Sequence, residues 1–175
     1  MAAGSKEVIE RRAKIGYICN FLKSVTWPRE IAPRNTWIAD VCIVGDRKLS
    51  KHFEAIVKSN PDHSMTINVS YSTTGATIPD CHILFIDKSA RVRLASILER
   101  AGNRPILTVS DIKGFADKGG MIELVKVREV KATYLRPRIN STTAEISSIT
   151  LGAELLFMAD HTQQEELLII SDHVH

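Results

Sequence analysis

No apolar run in this chain approaches the roughly 20 residues that a membrane-spanning helix requires, so no segment of it reads as a transmembrane span. A strong charge excess is missing too. Lys and Arg number 23 against 20 Asp and Glu, a net charge of +3, and the basic residues are scattered. Nucleic-acid binders concentrate positive charge on one stripe or face, and the densest group here (Arg11, Arg12, Lys14) is interleaved with Glu7 and Glu10 as on a solvated helix. Cysteine is scarce: Cys19, Cys42 and Cys81 permit one disulfide with one thiol over, and none of their spacings matches a metal site. The histidines are isolated or, like His173 and His175, in the C-terminal tail, so neither metal nor cofactor is expected. Gly119-Gly120 lacks the Walker spacing and precedes a strand, which makes it a turn. No nucleophile elbow occurs, and no residue is assigned a catalytic role. Met1 to Ser5 run directly into charged helix and do not read as a signal peptide.

What is present suits one domain with a substantial core: 175 residues, 44% hydrophobic and 25% charged. Apolar residues at Val8, Ile15, Ile18, Cys19, Leu22 and Val25 make a helical stripe from Glu7, which Trp27-Pro28 ends. Ile38 to Val44 reads as a strand closed by Gly45-Asp46, followed by a helix over Leu49 to Lys58 and a weaker strand over Met65 to Val69. His82 to Ile86 and Pro105 to Val109 are short and continuously apolar, as in parallel strands covered on both faces. Between them, Ser89 is expected to cap a helix that runs to Arg100 and stops at Gly102-Asn103. Met121 to Val125 and Lys131 to Leu135 form an antiparallel hairpin around Arg128-Glu129. Thr142 and Glu145 suggest a capping box. Ile149-Thr150 with Gly152 interrupt that helix, and a second one is expected over Ala153 to Ala159. The expected architecture is a single α/β sandwich over residues 7–160. Its sheet is mixed and mostly parallel, with helices on both faces, ending in a β-hairpin and broken helices; residues 161–175 form a tail.

The most chemical-looking pattern lies at strand ends: Asp46 after the first strand, Asp87 after the third, Thr108 and Ser110 closing the fourth. Ligands of open α/β sheets bind at such ends, and the arrangement is similar to a cytosolic phospho-receiver module. The adjacent acidic pair and the late-strand lysine of such modules are missing, since Asp46 stands between Gly45 and Arg47 and Lys126 falls inside the hairpin. For contact with a partner, Trp27 is a candidate anchor, with Leu151 and Leu155, although a Trp beside a helix end more often packs against the core. The first helix and the segment Ile149 to Met158 carry more large aliphatic residues than one helix face needs.

Several segments together resemble the YfiR/HmsC family. They are Phe21 through Trp27-Pro28, Val41 to Asp46, Cys81 to Ile86, and Pro105 to Asp111 followed by Phe115-Ala116 and Gly119 to Ile122. Ile139-Asn140, Ala144 and Leu155 to Ala159 complete the set. The resemblance spans about Ala13 to Ala159, and departs from the family pattern at Gly152, where Ser is usual, and in the tail. It implies an exported, periplasmic, non-enzymatic regulator, with its signal peptide lying outside this sequence. Such a protein restrains an inner-membrane diguanylate cyclase by binding its periplasmic sensor domain, controls cyclic-di-GMP output and biofilm formation, and commonly forms a homodimer. It also implies a disulfide between Cys42 and Cys81, positions paired in some relatives, with Cys19 left reduced. Flush neighbouring strands would hold these two too far apart, so the bridge requires a stagger.

Overall fold

The computed structural model describes residues 2–32, 37–59, 65–160 and 168–171. The chain opens with helix α1 (Ala2–Ser24), which leads into a two-residue strand β1 (Val25–Thr26) before the Trp27-Pro28 turn. Then come β2 (Trp37–Val44), α2 (Arg47–Ser59), β3 (Met65–Ser72) and β4 (Ile83–Ile86), and next α3 (Leu94–Ala101), β5 (Leu107–Ser110), β6 (Ile122–Arg128) and β7 (Ala132–Ile139). The last third holds α4 (Ser141–Ile146), β8 (Thr150–Leu151), α5 (Ala153–Asp160) and β9 (Leu168–Ser171). Seven strands form one sheet in the order β3-β2-β4-β5-β6-β7-β9, and β1 pairs separately with β8. The ladder is parallel from β3 to β6 and antiparallel from β6 through β7 to β9. This is the α/β class expected from the two apolar strands and the hairpin.

Alternation along the strands sends side chains to two cores. Ala39, Val41 and Ile43 join Ile83, Phe85, Leu107 and Val109 beneath α1, α2 and α5, where Ile18, Phe21, Leu49, Phe53 and Leu155 meet them. Val44, Leu84 and Ile86 face the other way, against Leu94, Ile97 and Phe115. Phe21, Phe53, Phe85 and Phe115 are all 0% exposed, and full burial of such a side chain contributes about 2–3 kcal/mol. Tyr17 carries a polar handle into the first core and donates to the Leu135 carbonyl at 2.6 Å.

Local chemistry sets the element ends. Asp46 Oδ1 accepts from Leu49 N at 2.9 Å and so caps α2. Gly45 has φ +96°, and a Cβ there would fall 2.6 Å from Ser89 Oγ, so β2 turns only on glycine. At Gly120 a Cβ would meet the Phe115 ring at 2.1 Å. The glycine pair is therefore a packed turn, as its place before a strand suggests.

Three local expectations are corrected. Asp87, not Ser89, is the cap after β4: its Oδ2 accepts from Ser89 N at 2.9 Å, and a 3-10 turn over Lys88–Arg93 precedes α3 proper. Asn140, not Thr142, caps α4 by accepting from Thr143 N at 3.2 Å, while its Nδ2 donates to the Ala116 carbonyl. The expected tail also contributes a strand, because β9 extends the sheet beside β7; residues 161–167 and 172–175, with His173 and His175, lie outside the described residues. The break around Ile149 to Gly152 is as expected. It serves to pair Thr150 and Leu151 with Thr26 and Val25, and Gly152 N donates to the Ser24 carbonyl at 2.7 Å.

Candidate functional site

The chain leaves β2 toward β3 and later returns on its other side as β4, so the sheet's switch point lies between the carboxyl ends of β2 and β4. Asp46 and Asp87 stand there, and Asp111 follows β5 beside them. With Glu7, Glu10, Arg11, Lys14 and Lys88 they surround a cavity of about 250 Å³, which Asp111 reaches through its bonds to Lys14 and Lys88. Each aspartate already binds backbone. Asp46 caps α2 and Asp87 caps the turn after β4, while Asp111 Oδ1 accepts from Lys88 N at 3.1 Å.

The centre of this corner is a cation supplied by the chain. Lys14 Nζ, on a side chain only 4% exposed, lies 2.8 Å from Asp111 Oδ2 and 3.2 Å from Glu10 Oε1. It also stands 5.9 Å from the centroid of the Phe85 ring. Burial works to lower the Lys14 pKa, but the Asp111 and Glu10 carboxylates outweigh it and hold the ammonium above its ordinary value. Glu10 is likewise held below the ordinary carboxylate value: burial opposes this, and the hydrogen bond from Lys126 with the charge of Lys14 prevails. Lys126, inside the hairpin as expected, thus serves α1. Arg11 stands 3.5 Å from Asp46 and 3.6 Å from Glu7. Thr108 and Ser110 bind backbone: Thr108 Oγ1 accepts from Met121 N, while Ser110 Oγ donates to the Ile86 carbonyl and accepts from Ile112 N. The corner is an ion-paired seat for α1, and among the described residues no three His, Cys, Asp or Glu side chains converge as metal ligands.

The two candidate disulfide cysteines lie on the other face of the sheet, Cys42 within β2 and Cys81 just before the amino end of β4. The register aligns Cys42 with Leu84, and a fully extended chain would turn Cys81 to the other face of the sheet from Leu84. A bend at His82 prevents this, and Cys42 and Cys81 share the second core. Both are thiols, 5% and 6% exposed. Hydrogen bonding from Cys81, assisted by Ser70 Oγ at 3.2 Å, lowers the Cys42 pKa against the opposing effect of burial. The same hydrogen bond, with burial, pushes Cys81 far up. Cys19 sits half-buried on α1, where burial raises its pKa.

His82 fixes the bend. Its Nδ1 accepts from Asp40 N at 3.0 Å and its Nε2 lies 2.9 Å from the Ile31 carbonyl, which makes Nε2 the protonated nitrogen. Trp27 packs edge-on against its ring, with centroids 5.4 Å apart.

That packing places Trp27 in the core, the alternative its position beside a helix end favours. Trp27 is 4% and Leu155 0% exposed, so both are core side chains, and Leu151 is half-buried where β8 meets β1. Next to Leu155 on α5, three consecutive apolar side chains are exposed: Leu156, Phe157 at 60%, and Met158. The signal is in the run Leu155-Leu156-Phe157-Met158, since a helix presents only one stripe to a core and four consecutive apolar residues cannot all fit it.

A family model described as YfiR/HmsC-like matches residues 11–160, from the first helix through the last. No curated protein matches the chain. The match takes in the Lys14–Asp111 pair that seats α1 and the cysteine pair, and the chain belongs to the YfiR/HmsC-like family.

Proposed function

We propose that this protein is a non-enzymatic periplasmic regulator that binds the periplasmic sensor domain of an inner-membrane diguanylate cyclase and lowers its output, restraining cyclic-di-GMP and biofilm formation. The family match over residues 11–160 carries this reading. Two features of the chain agree with it. Among the described residues no helix is long and apolar enough to cross a membrane, and α5 offers exposed Leu156, Phe157 and Met158 beside Leu151 for contact with a partner or a second copy. A receiver-like role would use Asp46 and Asp87 around a divalent cation. The Lys14 ammonium, bound to Asp111 and Glu10, lines the same cavity and sets a positive charge beside those two aspartates.

The test is co-expression with a membrane diguanylate cyclase from the same organism, with cyclic-di-GMP as the readout. Repression of several fold is expected, relieved by Phe157→Asp in a protein that still unfolds at the wild-type temperature. A specific interface would bury about 1,200–2,000 Å², enough for one central anchor to cost more than about 1 kcal/mol of binding. Unchanged cyclic-di-GMP on deletion of the protein would refute the regulatory reading.

A further inference from the structure

Strand β3 ends the sheet, and among the described residues nothing pairs with its outer side. It runs for eight residues, Met65-Thr66-Ile67-Asn68-Val69-Ser70-Tyr71-Ser72, in unbroken register with β2. Edge strands are ordinarily blunted by charge, proline, a bulge or shortness, and β3 has none of these. The Ser72 carbonyl accepts from Gly45 N across β2. By the alternation of a parallel ladder, the N–H and C=O groups of Met65, Ile67, Val69 and Tyr71 therefore point outward.

The helix over this edge is basic. α2 carries Arg47, Lys48, Lys51 and Lys58 against Glu54 alone, and none of these five enters an ion pair among the described residues. Arg47 lies over the Tyr71 ring of β3, 5.4 Å from its centroid, so this positive face borders the open backbone.

We propose that β3 and α2 form the docking site for an extended, acidic segment of the partner protein, which adds to the sheet as an eighth strand with its carboxylates against α2. Backbone pairing requires a polypeptide, and the unneutralised cations select its charge. A second copy of this chain fits poorly. Antiparallel pairing of two β3 strands about a two-fold axis would put both α2 helices on the same face and bring their cations together. The proposal rests on the protein-binding reading above and names a second point, apart from α5, at which that partner is held.

The probe is a capped octapeptide of alternating Val and Glu, titrated into the full chain, with a Val/Lys octapeptide and a Pro-substituted Val/Glu octapeptide as controls. The expected result is saturable binding of the acidic peptide, at least tenfold tighter than either control and weakened by 0.5 M salt, with slowed amide exchange at Ile67, Val69 and Tyr71. In the Arg47→Glu/Lys58→Glu variant, which alters only exposed side chains, preference should pass to the basic peptide. Equal binding of both charges, no protection on β3, or an unchanged preference in the variant would overturn the proposal. So would concentration-dependent protection of β3 without peptide, which would give the edge to a second copy. Repression in cells without peptide binding would refute this docking site alone; peptide binding without repression would refute the regulatory reading and leave the site standing.

Discussion

Lys14 and Asp111 lie 97 positions apart in the chain, and Nζ of the first sits 2.8 Å from Oδ2 of the second. The pair fastens α1 to the carboxyl end of the sheet and fills the acidic corner that the strand ends create.

Removing one partner of such a buried pair leaves the other charge without compensation, which costs about 3–5 kcal/mol. Lys14→Met should lower the urea midpoint accordingly, and adding Asp111→Asn should restore much of the loss. A single variant within about 0.5 kcal/mol of wild type, the range of an ordinary surface substitution, would show that the pair does not hold α1.

The same corner sets the pH dependence. The folded pKa of Glu10 is depressed, so its contribution is present above the ordinary value of 4.5 and lost as pH falls through the folded one. The folded pKa of Lys14 is raised, so its contribution is present below 10.5 and lost as pH rises through the folded value. Thermal stability should therefore weaken below about pH 4.5 and above about pH 10.5, with the acid limb shallower in Glu10→Gln.

Cys42 and Cys81 should oxidise to one disulfide, while Cys19 remains alkylatable. Closing the loop between them would add about 4 kcal/mol on a chain-entropy basis. Mass spectrometry of air-oxidised protein should show the loss of two hydrogens and one alkylation site; three alkylated thiols would refute the pairing.

Asp87 should not accept phosphate. Beryllofluoride with Mg²⁺ is expected to leave tryptophan fluorescence unchanged, because Asp87 caps a turn and Lys14 occupies the neighbouring corner. A saturable response lost in Asp87→Asn would revive the receiver reading.

Much of this molecule is set by local pattern alone. The short, largely apolar stretches at Ile83 to Ile86 and Leu107 to Ser110 read as strands buried on both faces, the glycines at 45 and 102 end their elements, and Trp27-Pro28 ends the region of the first helix. These features depend on neighbours a few residues away. The caps are legible only to within two residues, because Asp87 and Ser89, or Asn140 and Thr142, are chemically equivalent candidates until the backbone chooses. The two-residue strands β1 and β8 have no periodicity to detect, and β9 is strand only because β7 offers it a ladder. Burial of Leu155 is equally illegible, and that of Trp27 is only favoured by its place beside a helix end. A large apolar residue serves core or interface alike, and the choice is made by His82 and by α1, distant in sequence and adjacent in the fold. The acidic strand ends are visible as residues, yet whether they hold an external cation or an internal one depends on where α1 lies. Long-range packing brings Lys14 to Asp111, because the charge of a buried carboxylate must be met by whatever cation the tertiary structure places beside it.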